Sequence, residues 1–172
     1  MTPAMSSMPS SPAGVPPEGE PDLAEKSQYV TLGVDGELFA APVEKVQEIL
    51  EMRPVARLPQ APPNLLGMTD VRGEGIPVLD LRLTLGLPEA EDTENTRIVV
   101  LHVNGAAAPT TLGLRTDRVF EVTVLDADEL DPPPAVAGKW RAQTVAGIGR
   151  RNGQFVTVLD LDRLLGDFAE AA

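Results

Sequence analysis

Residues Gly67 to Gly86 read GMTDVRGEGIPVLDLRLTLG, and eighty positions further on Gly147 to Gly166 read GIGRRNGQFVTVLDLDRLLG. Glycine lies over glycine at 67 and 147, at 73 and 153, and at 86 and 166, while Val78-Leu79-Asp80-Leu81 lies over Val158-Leu159-Asp160-Leu161. A self-match this dense marks two copies of one structural unit. The chain is read as a duplication before anything else is asked of it.

Working outward, each copy predicts a hairpin followed by a capped turn of helix. In the first, Leu65 to Arg72 and Gly75 to Leu79 pair around Arg72-Gly73-Glu74-Gly75, and in the second Asn152-Gly153 separates Val145–Arg151 from Gln154–Leu159. Asp80 and Asp160 then stand as N-caps of short helices, Leu81 to Leu85 and Leu161 to Leu165, closed by Gly86 and Gly166 in the left-handed position. Upstream, Tyr29 to Val34 and Glu37 to Ala41 flank Asp35-Gly36, the pair that a tight hairpin turn with two positive φ angles requires. Ile98 to Val103 runs into Asn104-Gly105, which is read as a turn of the same kind. Short strands with glycine-bearing turns dominate, so the fold class is all-β with short helices.

The segment Ala41 to Leu50 begins with Pro42 and carries apolar residues at 43, 46, 49 and 50, a pattern that predicts a turn of helix passing into a strand by Glu48, with a short amphipathic helix fitting the spacing nearly as well. Its counterpart is Arg115 to Val122, with Val46 over Val119 and Glu48 over Glu121. Leu58-Pro59-Gln60-Ala61-Pro62-Pro63 is extended and turn-like, because each proline lacks a donor and biases its predecessor away from helix. Leu87 to Thr96 and Leu130 to Gly138 are linkers, and Trp140 is read as a lid on a core. Met1 to Lys26, rich in Pro, Ser, Gly and Glu, has too little apolar surface to offset the entropy of ordering and is read as a disordered tail. The domain boundaries follow: 1–26 tail, 27–168 folded, 169–172 frayed.

Composition narrows the function. The 172 residues suit one compact domain or two joined halves. The formal charge is −12, and residues 1–26 supply only −3 of it, so the folded part is itself acidic. That argues against tracking a phosphate backbone or an anionic lipid surface and favours a protein partner. No apolar run approaches the length of a membrane span, no secretory signal is visible, and the absence of cysteine excludes disulfides and thiolate-bound metals.

No chemistry is encoded. Asp80 and Asp160, one carboxylate from each copy, resemble a two-aspartate hydrolase site in arrangement, but helix capping accounts for both. His102 is the single histidine and has no placed companion for a metal site or a triad. Gly73-Glu74-Gly75 follows a strand and leads into a proline-containing one, the wrong setting for a phosphate loop. No catalytic residue, metal or cofactor is expected. The telling residues are Glu48 and Arg72, charges set among apolar neighbours as interface anchors are.

Taken together, V-Q-E-I at Val46 to Ile49, L-P-x-A-P at Leu58 to Pro62, G-x-x-x-x-R-G at Gly67 to Gly73 and I-P-V-L-D-L at Ile76 to Leu81 resemble the CheW family, the adaptor proteins of bacterial chemosensory arrays. The resemblance spans Gln28 to Phe168. It implies two interlocked five-stranded SH3-like β-barrels and a non-enzymatic role, bridging the regulatory domain of the histidine kinase CheA to the cytoplasmic tip of transmembrane chemoreceptors. Carried over by position, Val46, Glu48 and Ile49 are kinase-binding, and Asp70, Arg72 and Gly73 are receptor-binding or coupling. Asp70 departs from the asparagine usual there, which adds a negative charge able to pair with Arg72 or to alter receptor preference. The implied setting is cytoplasmic, recruited to membrane-associated arrays without membrane insertion or nucleic acid. The alternatives are an adaptor of a non-motility or type IV pilus pathway, the two-aspartate hydrolase, and an SH3-like nucleic-acid module that the acidic balance disfavours.

Overall fold

The computed structural model describes residues 27–105, 108–133 and 144–165. In order they form β1 (Tyr29–Val34), β2 (Glu37–Pro42), a 3₁₀ turn (Val43–Lys45), β3 (Val46–Glu51), β4 (Leu65–Val71), β5 (Glu74–Asp80), α1 (Leu81–Thr84), β6 (Arg97–Asn104), β7 (Pro109–Thr116), β8 (Arg118–Thr123), β9 (Val145–Arg151) and β10 (Gln154–Leu159). Residues 161–165 are again helical. The strands make two five-stranded sheets of order β8-β1-β2-β10-β9 and β3-β6-β7-β5-β4.

These orders are the same order written in the two copies. The first two strands of each copy join the last three of the other, so the halves are interlocked as well as repeated. In each sheet the inserted hairpin lies parallel to the last strand of its host, β2 beside β10 and β7 beside β5. Pro77 is tolerated inside β5 because the ladder to β7 begins only at Val78. Each sheet is also drawn round on itself. Chain leaving edge strand β3 bridges through Ala56 to Met68 of β4 at the opposite edge, and chain leaving β8 bridges through Asp131 to Ile148 of β9.

That closure explains the leading glycine of each repeat. A Cβ on Gly67, whose φ is +148°, would collide with the carbonyl of Ala56, and one on Gly147 would stand 2.6 Å from Leu130. The hairpin glycines have a different cause. Asp35-Gly36, Arg72-Gly73 and Asn152-Gly153 all have both residues at positive φ, between 54° and 84°, as the two-residue hairpin turn demands.

The helical turn passes into a strand at Val46, which already pairs with Leu101, so the chain is extended by Glu48 as expected. One expectation needs correction. Asn104-Gly105 is not a tight turn: Asn104 stays in the ladder opposite Pro109, its N–H held at 2.9 Å by the Asp162 carboxylate, and the chain turns beyond it. Trp140, Gly166, the 1–26 tail and residues 169–172 lie outside the described residues.

The main core is shared by the halves. Val30 and Leu32 of the first copy pack with Val99, Leu101, Leu112 and Leu114 of the second, beside the equivalent Leu79-Leu81 and Leu159-Leu161 pairs. Smaller clusters fill each sheet, around Ile76, Val78, Ile98 and Val100 in one and Ala40, Leu125, Val156 and Val158 in the other. Ion pairs of opposite polarity clamp the two helical turns. Arg82 of α1 meets Asp117 at 2.9 Å, whereas Asp162 of the second helical turn meets Lys45 at 2.8 Å. Among the described residues no helix is long and apolar enough to cross a membrane.

Candidate partner-binding surface

Strand β3 lies at a sheet edge and is bulged. Val46 stands opposite Leu101, but Glu48 stands opposite Val100, so Gln47 is the extra residue. Residues directly opposite share a face, and the bulge therefore splits the sequence-predicted trio. Val46 and Ile49 are directed with Leu101 and Val99 to the margin of the shared core, while Glu48 is directed with Val100 and Ile98 to the first sheet's own cluster. Ile49 is the exposed member, and Val46 is half-buried against the main core.

Glu48 emerges at the end of the sheet that carries the β4–β5 hairpin, where Arg72 meets it at 3.1 Å. The pair is asymmetric in exposure, 80% for the Arg72 side chain against 17% for Glu48. Arg72 also has a φ of +55° at the first turn position, which Asp35 and Asn152 fill in the sister hairpins. Asn and Asp accept that conformation readily and a long side chain does not; an outlier of this kind points to a use for the side chain. An exposed pair of this kind adds little stability.

The structure thus brings Glu48, Arg72 and Gly73 into one patch, and the residues assigned to two partners adjoin. Asp70 is exposed on β4, its carbonyl accepting a hydrogen bond from Arg53 at 3.1 Å, and the carboxylate that pairs with Arg72 is Glu48's rather than Asp70's.

The duplication repeats this site in altered form. On β8, Val30 lies opposite Val122 and Leu32 opposite Val119, a bulge matching that of β3. Glu121, the counterpart of Glu48, pairs with Arg151 at 3.3 Å. The repeat alignment gave no warning of Arg151, because it lies over Val71, one position before the counterpart of Arg72.

The two aspartates serve their own helices. Asp80 accepts the Arg82 N–H at 3.1 Å, and the Arg163 N–H approaches Asp160 at 3.2 Å. Beyond the caps they diverge. Asp80 is buried against Arg115, whose guanidinium also holds Asp92 at 2.7 Å and the Ala90 carbonyl, strapping the linker between the halves to the sheet. Burial pushes the Asp80 carboxyl above its ordinary range, with Arg115 opposing. Among the described residues Asp80 and Asp160 have no hydrogen-bond partner in common, and there is no cluster of three or more potential metal-ligating groups.

The comparisons with known proteins fit this geometry. A family profile described as CheW-like domain matches residues 28–169. The chain belongs to the CheW-like family. Its similar relatives include the chemotaxis protein CheW of Helicobacter pylori, 29% identical over 84% of each chain, and protein FrzA of Myxococcus xanthus, 32% identical over 74% of this chain and 78% of that one. Among solved structures, the scaffolding protein TtCheW from Thermoanaerobacter tengcongensis superposes with a TM-score of 0.72 at 25% identity, covering 81% of this chain and 92% of the other. CheW-like proteins are non-enzymatic scaffolds of chemotaxis, and this chain is one of them; the hydrolase reading finds no support.

Proposed function

We propose that this CheW-like scaffold couples the cytoplasmic tip of transmembrane chemoreceptors to the regulatory domain of the histidine kinase CheA. The observation that carries the proposal is the Glu48–Arg72 contact, an exposed arginine in a costly turn conformation beside a half-sequestered glutamate. In this reading Glu48, with Val46 and Ile49, faces the kinase, and Arg72, with Gly73 and Asp70, faces the receptor or transmits between the two. Because the two sets adjoin, a shift of either partner acts on the same ion pair, and packed interfaces answer such a shift by switching rather than yielding. Residues 27–168 act as the adaptor domain, cytoplasmic and recruited to membrane-associated arrays through its partners.

The test is reconstitution. The full chain, a kinase regulatory domain and a receptor signalling fragment are mixed and resolved by size. A complex containing all three is expected, and an adaptor that retains neither partner would sink the reading. An adaptor serving a non-motility or type IV pilus pathway uses the same surface with a different receptor, and binding to receptor fragments from each pathway separates the two.

A further inference from the structure

The end of β4 and β5 remote from the Arg72-Gly73 turn is hollow. A cavity of about 570 Å³ opens there between the crossing segment at 52–57 and the linker at 89–92, a size and place usual for a small-molecule site. One wall is apolar, because Met52, Val55 and Leu66, half-buried against the first sheet's own cluster, also line the cavity. The floor is the network of Asp80, Arg115 and Asp92, with the Asp80 and Arg115 side chains 2% and 4% exposed.

Both carboxylates use a single oxygen. Arg115 donates to the Oδ1 of Asp80 at 3.4 Å and to the Oδ1 of Asp92 at 2.7 Å, and the Arg82 N–H also donates to the Oδ1 of Asp80. Among the described residues neither Oδ2 has a hydrogen-bond partner, and no buried side-chain oxygen goes unpaired; the Oδ2 of Asp80 therefore opens onto the cavity. Two carboxylates share one guanidinium, so the floor is short of one positive charge. Burial pushes the Asp80 carboxyl up, and the Arg115 charge offsets this only in part. The other charges of the lining cancel. Glu89, Glu91 and Arg57 are exposed and Arg53 is turned to the Asp70 carbonyl, and exposed charges are screened.

We propose that this cavity binds a small amphipathic amine, its ammonium donating to the free oxygens of Asp80 and Asp92 and its apolar body lying along Met52, Val55 and Leu66. An ammonium brings donors and no acceptor, which suits free carboxylate oxygens. An anion would add to the surplus at the floor, and an uncharged ligand would leave it uncompensated. The second copy has no counterpart, because the position matching Arg115 is Pro42. Since the linker between the halves forms one lip, an occupant ties that linker to the sheet.

The probes are n-hexylamine, hexan-1-ol and hexanoate, each titrated into the isotope-labelled full chain at neutral pH and followed by NMR. Hexylammonium is expected to saturate, with amide shifts centred on Val55, Leu66 and Ala90, and the alcohol and the carboxylate to bind about tenfold or more weakly. Asp92→Asn, which leaves one carboxylate for one guanidinium, is expected to raise the dissociation constant about tenfold. Glu91→Gln is expected to leave it unchanged. Hexylammonium that does not saturate, an alcohol that binds as tightly, shifts centred elsewhere, or an Asp92→Asn variant that binds as wild type overturns the proposal. So does a Glu91→Gln variant that loses as much as Asp92→Asn, by reducing the attraction to that of an acidic surface.

Discussion

The Glu48–Arg72 and Glu121–Arg151 ends occupy equivalent places in a duplicated fold, share a bulged edge strand and a tight hairpin, and differ in what they present. In the first, Gln47 is the bulge residue and His102 lies opposite Thr111, their side chains 3.2 Å apart. In the second, Phe120 is the bulge residue, and the cross-strand pair has become Gly33 and Leu38, which leaves room for the ring. Backbone geometry was inherited by both ends, while a few side-chain exchanges made one polar and the other aromatic. A duplication thus yields two surfaces held at a fixed spacing and free to diverge in partner.

The comparison breaks most decisively at the shared core. Leu101→Ala, in the second copy, is expected to cost about 2 to 5 kcal/mol and to lower the stability of both sheets together. Two separate unfolding transitions in calorimetry would mean that the halves are independent. At the next level, Glu48→Arg is expected to weaken kinase-domain binding by about 2 kcal/mol, while Glu121→Arg leaves it unchanged. Equal losses in titration calorimetry would mean that the kinase does not distinguish the ends.

Arg72→Asn gives the first hairpin the residue found at Asn152. It is expected to leave stability unchanged or to raise it by about 0.5 kcal/mol as the turn relaxes, while receptor-dependent kinase activation falls; full activation in a reconstituted array removes Arg72 from coupling. The smallest effect separates the two helix clamps from Asp80. For Asp117 and Asp162 burial alone would raise the pKa, but hydrogen bonds prevail, from Arg82 and the Asp35 N–H at Asp117 and from Lys45 and the Asn104 N–H at Asp162, and hold both below 3.8. Their stabilisation is complete above the unfolded value and is lost as pH falls below it through the folded pKa. Asp80 has the opposite sign: its raised pKa is a cost at neutral pH that disappears on acidification through that pKa. Asp117→Asn is therefore expected to destabilise at pH 7, with the difference from wild type shrinking as pH drops below the ordinary carboxylate range in denaturant titrations.

Much of the architecture was legible because it rests on local rules. The repeat from Gly67 to Gly86 and Gly147 to Gly166, the Asp35-Gly36 and Asn152-Gly153 turns and the Asp80 and Asp160 caps are encoded by neighbouring residues. Long-range features were not. Nothing near Gly67 announces that Ala56 will cross it, nor does anything near Arg115 announce its buried contact with Asp80 and its hold on Asp92. Asn104-Gly105 misled because a distant carboxylate, Asp162, took the N–H that a tight turn would have freed. At the candidate site, Glu48 and Arg72 stood out as charges among apolar neighbours, but their contact depends on where β3 is bulged. Nothing in the residues around Phe120 announced the bulge that leaves it extra.

The exchange of hairpins between the halves also fixes an order of events during synthesis. The sheet β3-β6-β7-β5-β4 has all its strands once Thr116 has left the ribosome, whereas β1 and β2, translated before any of them, cannot complete their own sheet until Leu159 follows. The earliest hairpin to emerge is the last to be housed, and for most of translation its apolar residues Val30, Leu32 and Phe39 have no finished layer to enter. Nascent-chain stalls between these two points should hold one complete sheet with the first hairpin laid against it, the β2 edge still unpaired and open to proteases.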